Sequence, residues 1–310
     1  MKNLLKYALI ILISAGAFGC SSDNYEIQSE NDGLSLENQE LIEQQRAENA
    51  AFADLMNQLD ALNQEYIALS AMEPQPYVIG GSPNNRWADI IAHDVEGMIV
   101  GATAGALTGN PMAIVTAGGF LGVGASLLSW ISGIKSKAVI IVKRAWTWIT
   151  NLFSSGGKDE FTEIGIMHNK VIMSIQDTYT DTQLQNMSDE QLFNAILTCM
   201  SSNGYDTNAI KNNLQNYYME FINMKSAMVY DNPNKLMEYV VLRNPTKINE
   251  CSVVKSYINT LNQISESNLV NYNISFNNTV KASNISAESK TLIQSCSSVG
   301  LASSNLWYKE

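Results

Sequence analysis

The residues best placed to do chemistry are few. Asp89, His93 and Glu96 stand at i, i+4 and i+7, so a single helix face would carry all three. Two carboxylates and an imidazole at that spacing could converge on a cation. They could equally form a solvated first turn whose acids face the helix dipole. The second arrangement is the one the sequence favours, and no metal and no cofactor is expected. The only other histidine, His168, stands alone between Glu163 and Lys170 and is expected to be capped or packed. Beyond Cys20 the cysteines are Cys199, Cys251 and Cys296, an odd number with no metal-binding CxxC spacing. At most one pair can close within the chain, and buried thiols are an equal alternative.

Glycines 97, 101, 105 and 109 might suggest a phosphate-binding loop. Their period is four, no strand precedes them, and the Gly-Lys-Ser/Thr ending is missing. There is no GxSxG, HExxH or dinucleotide fingerprint. No catalytic residue is assigned, and no enzymatic activity is expected.

The elements that would position these groups begin with an export signal. Lys2 and Lys6 precede the apolar run Tyr7 to Ile13, and small residues lead to Cys20. Residues 1–19 thus have the layout of a secretory signal, and the run is too short to span a bilayer, which takes about 20 apolar residues. Ala17-Phe18-Gly19-Cys20 resembles the lipobox of bacterial lipoproteins. The resemblance implies that Cys20 is acylated and becomes the first mature residue. Residues 20–35 are acidic and almost without apolar side chains, which suits a disordered tether. An acidic tether after a lipidated Cys is similar to exported lipoproteins of the Bacteroidetes type. That resemblance implies a lipid anchor in the outer membrane or at the cell surface of a Gram-negative bacterium.

The chain carries a net charge of −11, and loss of Lys2 and Lys6 with the signal brings it to −13. Nucleic acid is therefore excluded as a partner, because its binding rests on neutralising phosphates.

An all-α fold is expected from the periodicities. Residues 36–72 lack Gly and Pro, and Phe52, Leu55, Leu59, Leu62, Tyr66 and Leu69 form a heptad seam, suited to a coiled coil or to packing on the chain's own domain. Pro74, Pro76, Gly80, Gly81 and Pro83 make residues 73–86 a hinge. Residues 87–153 open with a helix near Trp87, and residues 97–134 contain no charged side chain. Gly97, Gly101, Gly105 and Gly109 share one face; Asn110-Pro111 breaks the helix; Gly118, Gly122 and Ser126 repeat the spacing on a second helix. Glycine inside a helix costs about 0.8–1 kcal/mol relative to alanine. Its repetition makes sense where another helix backbone comes close. This segment resembles the glycine zippers of small membrane-active bacterial peptides and of some outer-membrane-associated lipoproteins.

Lys135, Lys137, Lys143 and Arg144 lie beside Trp130, Trp146 and Trp148, a basic-aromatic set suited to a membrane interface. Membrane lipid is thus an expected partner, as is a second copy of the chain through the zipper, in a pore-forming, bacteriocin-like or envelope-scaffolding role. The alternative is a surface-exposed binding lipoprotein in which the zipper is buried as core. Residues 154–158 read as a linker, and 159–310 as a separate helical domain. Within it, Ser188 with Gln191 forms a capping box, Met187 with Leu192 a hydrophobic staple, and Ile210, Leu214, Tyr217, Phe221, Met224 and Met228 an apolar stripe.

Overall fold

The computed structural model describes residues 36–72, 86–106, 111–134, 162–228 and 234–307. Among them every regular element is a helix, so the fold is all-α. The helices are α1 (Leu36–Met72), α2 (Arg86–Ala106), α3 (Pro111–Ile134), α4 (Thr162–Thr178), α5 (Asp181–Asn186), α6 (Asp189–Ser202), α7 (Asn208–Lys211), α8 (Leu214–Ala227), α9 (Asn234–Arg243), α10 (Ile248–Leu261), α11 (Glu266–Ala282) and α12 (Ala287–Trp307). A 3-10 turn, Pro245–Lys247, joins α9 to α10.

The antiparallel hairpin α2–α3 is the centre of the molecule. Helix α12 runs along α2 and α4, α4 closes on α3, and α6, α8, α9 and α10 complete the cover. Hairpin and C-terminal helices share one hydrophobic core, from Val95, Ile99, Phe120 and Leu127 to Val171, Phe221, Val254 and Val299. The hairpin and the 159–310 segment, expected as separate units, are therefore packed as one. The hinge before Arg86 and the 154–158 linker lie outside the described residues.

Local signals explain several boundaries. Pro111 takes the first position of α3, where its missing N–H leaves no carbonyl unsatisfied. Ser188 caps α6: its hydroxyl accepts from Gln191 N–H while the Gln191 side chain accepts from Ser188 N–H. Thr180 and Gln183 do the same for α5. The apolar stripe from Ile210 to Met228 is not one helix. Asn212 and Asn213 end α7 and precede α8, and Leu214 turns to solvent. Asparagine side chains compete for backbone hydrogen bonds, which favours such a break.

Helix α1 lies against α10 and α11. Its seam is used within the chain: Phe52, Leu55 and Leu59 are buried, Leu62 and Tyr66 half-buried, and Leu69 is 43% exposed. Towards its C-terminal end polar contacts replace apolar ones. Asn63 accepts from the Tyr272 hydroxyl at 2.8 Å and donates to Ser256 at 2.9 Å. Tyr66 and Ser275 share a 3.0 Å hydrogen bond, and Ser70 accepts from the Ser265 amide at 2.9 Å.

Candidate functional site

The zipper glycines set how closely the hairpin helices approach. A Cβ placed on Gly101 would stand 2.1 Å from the Ala117 carbonyl oxygen and 2.7 Å from Gly118 Cα. On Gly97 it would meet Ala125 Cβ and the Leu121 oxygen, both at 2.6 Å. These positions are in contact with backbone, so no side chain fits. Gly118 and Gly119 differ: their nearest neighbours are the thioether ends of Met98 and Met167. Gly122 is looser again, with the Asp94 oxygen at 3.3 Å. Gly105 and Ser126 are buried, and Gly109 lies outside the described residues. Close packing continues beyond the hairpin, where Gly165 of α4 sits on the backbone of Ser298 and on Ala302 of α12.

Trp130, expected at a headgroup interface, is 4% exposed and packs in the protein core. Its position on α3 turns it toward other helices rather than outward. The other interface residues, Lys135, Lys137, Lys143, Arg144, Trp146 and Trp148, and the lipidation site Cys20, lie outside the described residues.

Tight packing seals in a polar cluster. His93, Asp94 and Glu96 of α2 are buried, together with His168 and Asn169 of α4 and Ser303 of α12. The Asn169 amide donates to the Ala302 carbonyl at 2.7 Å, which turns its oxygen toward His168 Nδ1 at 2.9 Å. His168 Nδ1 is therefore the donor of that pair. His168 Nε2 lies 3.6 Å from Asp94 Oδ2, and the Ser303 hydroxyl donates to the same carboxylate oxygen. On the other side of α2, His93 Nδ1 and Ser129 Oγ are 3.1 Å apart.

Burial governs the protonation of this cluster. Desolvation lowers both His93 and His168 to about 4; for His168 it outweighs hydrogen bonds to Asn169 and to the Gly122 backbone. Both rings are therefore neutral at pH 7. Burial pushes Glu96 well above the usual carboxylate range, against the opposing pull of Lys255 and the Met237 amide. Cys199, Cys251 and Cys296 are free and buried. Burial, reinforced by Glu250 and Glu96, pushes the Cys251 thiol up to about 12, and burial with Cys251 nearby also raises Cys296 well above its ordinary value. Neither is a thiolate nucleophile at neutral pH.

Serine, histidine and aspartate thus meet, but not in a relay. A nucleophilic serine must give its proton to an imidazole that a carboxylate orients from the far side. Here Ser303 bonds the carboxylate instead of the imidazole, and the Ser129–His93 pair is sealed from solvent. Of the Asp89–His93–Glu96 face, His93 and Glu96 are buried and the Asp89 side chain lies outside the described residues, among which no three His, Cys, Asp or Glu side chains could hold a metal ion. A single sequence signal points to the polar network: His168 stands four residues from both Ile164 and Ile172, on the buried face of its helix.

A second polar group lies at the surface, where the end of α2 meets α8 and α9. Val100, Thr103, Ala104, Glu220, Tyr239, Val240, Arg243 and Asn244 line a cleft of about 80 Å³. Glu220 accepts from the Tyr239 hydroxyl at 2.8 Å and from Arg243. Compared with family models, with curated proteins and with solved structures, the chain matches none.

Proposed function

We propose that this chain is a lipid-anchored protein of a Gram-negative cell envelope, held through Cys20 at the outer membrane or cell surface. Its helical body is a non-enzymatic binding module that faces water. The supporting observation is the occupancy of the glycine faces: Gly97 and Gly101 are closed against Leu121, Ala117 and Gly118 of the same chain. Glycines satisfied in this way serve as core, and the faces of Gly97 and Gly101 are closed to a second copy. What then meets the surroundings is the outer surface of α1 and of the C-terminal helices.

A second reading keeps the hairpin as a membrane-active element stored inside the body. It is favoured by Ile114–Ile131, whose mean hydropathy of 1.7 and 18-residue length are those of a spanning segment, although 89% of it is buried. Reaching lipid would require α4, α6, α8 and α12 to leave it.

The two readings part in a vesicle assay at pH 7. Phosphatidylcholine vesicles are used because they carry no net charge, so adsorption through Lys135, Lys137, Lys143 and Arg144 is not mistaken for insertion. The acylated protein is expected to float with the vesicles. The mature chain without its acyl groups is expected to stay unbound and to release no trapped dye. Flotation and dye release by the unacylated chain would overturn the binding-module reading in favour of the stored hairpin.

A further inference from the structure

The surface cleft has a chemistry that the sealed core lacks. Its apolar lining is half-buried Ala104 of α2, with Val100 of α2 and Val240 of α9 almost wholly buried behind it and Thr103 beside it. Its wall is a linked polar row. Glu220 Oε2 accepts from Tyr239, Glu220 Oε1 accepts from Arg243, and the Arg243 guanidinium also lies 5.8 Å from the Tyr239 ring centroid. Burial and the Glu220 carboxylate raise the Tyr239 hydroxyl above its ordinary value, so it stays protonated and donating.

Glu220 and Arg243 neutralise one another, so the cleft is selective for neither an anion nor a cation. Both still have hydrogen-bonding capacity to offer. Each carboxylate oxygen has about two lone-pair sites, and a guanidinium has five N–H donors. The Arg243 side chain is 50% exposed and that of Glu220 18%. Asn244 also lines the cleft. Adjacent donors and acceptors above an apolar floor match a group whose neighbouring oxygens both give and accept hydrogen bonds and whose carbon edge is apolar.

We propose that this cleft binds the vicinal-diol edge of a neutral saccharide. One hydroxyl donates to Glu220 while its neighbour accepts from Arg243, and the ring C–H edge rests on Ala104. A volume of about 80 Å³ admits the edge of one sugar ring and not an extended chain. The inference rests on the binding-module reading and names its ligand class.

The test is saturation-transfer NMR on the mature, unacylated chain with methyl α-mannopyranoside and methyl β-galactopyranoside as probes. Transfer to the ring protons flanking the cis diol is expected. The affinity read from the dose dependence of that transfer should fall about tenfold in Glu220→Gln, the effect of weakening one hydrogen bond to a charged group. Ala104→Leu should abolish transfer by filling the cleft while leaving the Glu220–Arg243 pair intact. Circular dichroism confirms that each variant is folded. Absence of transfer to either probe, transfer unchanged in Ala104→Leu, or displacement of the sugars by acetate would overturn the proposal. Such a result leaves the binding-module reading standing, because that reading falls on dye release and not on sugar binding.

Discussion

Gly101→Ala is expected to destabilise the protein by about 3 kcal/mol or more, whereas Gly118→Ala and Gly119→Ala change its stability by less than about 1 kcal/mol. The three substitutions are chemically identical and lie on the same hairpin. They differ in what the added methyl meets. At Gly101 it meets the Ala117 carbonyl carbon and oxygen and Gly118 Cα, which are backbone atoms of a helix packed on its other faces. The helices must separate, and every contact along the hairpin loosens with them. At Gly119 the methyl meets the end of Met167; at Gly118 it meets the end of Met98 and, less closely, the Met98 carbonyl oxygen at 3.1 Å, against 2.1 Å for the carbonyl oxygen at Gly101. Methionine has three rotatable bonds and can move aside. The helix-propensity gain of about 0.8–1 kcal/mol on replacing glycine then offsets the rearrangement. Gly97→Ala belongs with Gly101, since the Leu121 oxygen stands at 2.6 Å; Gly122→Ala belongs with the mild group. Denaturant midpoints measured at constant m-value read the order directly. Equal effects at all five positions would show that the close approach of α2 and α3 is not what the glycines provide.

The buried histidines predict a second large effect. In the unfolded chain His168 titrates near 6.5; in the fold it is held at about 4. The folded state therefore binds fewer protons between those values. The stability contributed by a neutral His168 is complete above about pH 6.5 and is lost as pH falls toward 4. His93 has the same sign and the same window. Glu96 has the opposite sign: raised in the fold, it costs stability above its unfolded value of 4.5, and that cost fades as pH falls from its folded value toward 4.5. The wild-type profile is thus a sum of opposed effects, and a variant is needed to separate them. His168→Gln keeps a polar side chain but does not titrate. Its stability relative to wild type is expected to improve by about 2 kcal/mol between pH 7 and pH 5, since one pKa unit corresponds to about 1.4 kcal/mol. Parallel stability profiles for the two proteins would mean that His168 is not held neutral by burial.

Much of this architecture is legible in the sequence, and the exceptions have physical reasons. The Ser188–Gln191 capping box and the Pro111 helix start depend on neighbouring residues alone, and both stand where the local pattern predicts. The small-residue register of the hairpin is equally local, but its environment is not. An uncharged apolar helix is suited both to lipid and to a protein interior, so Gly97–Ile134 could not say which of the two covers Trp130. The answer comes from α4 and α12, far along the chain. The His168–Asp94–Ser303 cluster was hidden for the same reason: its members come from three helices, and only the placement of His168 on an apolar stripe hints at it. The stripe from Ile210 to Met228 misled because its spacing continues across the Asn212-Asn213 break. Every member but Leu214 is buried, although two helices share them. The Glu220–Tyr239–Arg243 row is assembled across α8 and α9, and its floor comes from the hairpin, so no single stretch of sequence contains it.

Amide hydrogen exchange on the acylated protein bound to phosphatidylcholine vesicles measures, segment by segment, whether the hairpin stays inside its helical cover when the protein is anchored. Residues 97–106 and 114–128 are expected to be as protected on vesicles as in the unacylated chain in water. They should lose protection only together with 162–175, 248–261 and 287–307 as denaturant is added. Fast exchange throughout α4, α10 and α12 on vesicle binding, with the hairpin still protected, would mean that the cover opens at the membrane and would contradict a hairpin held inside it.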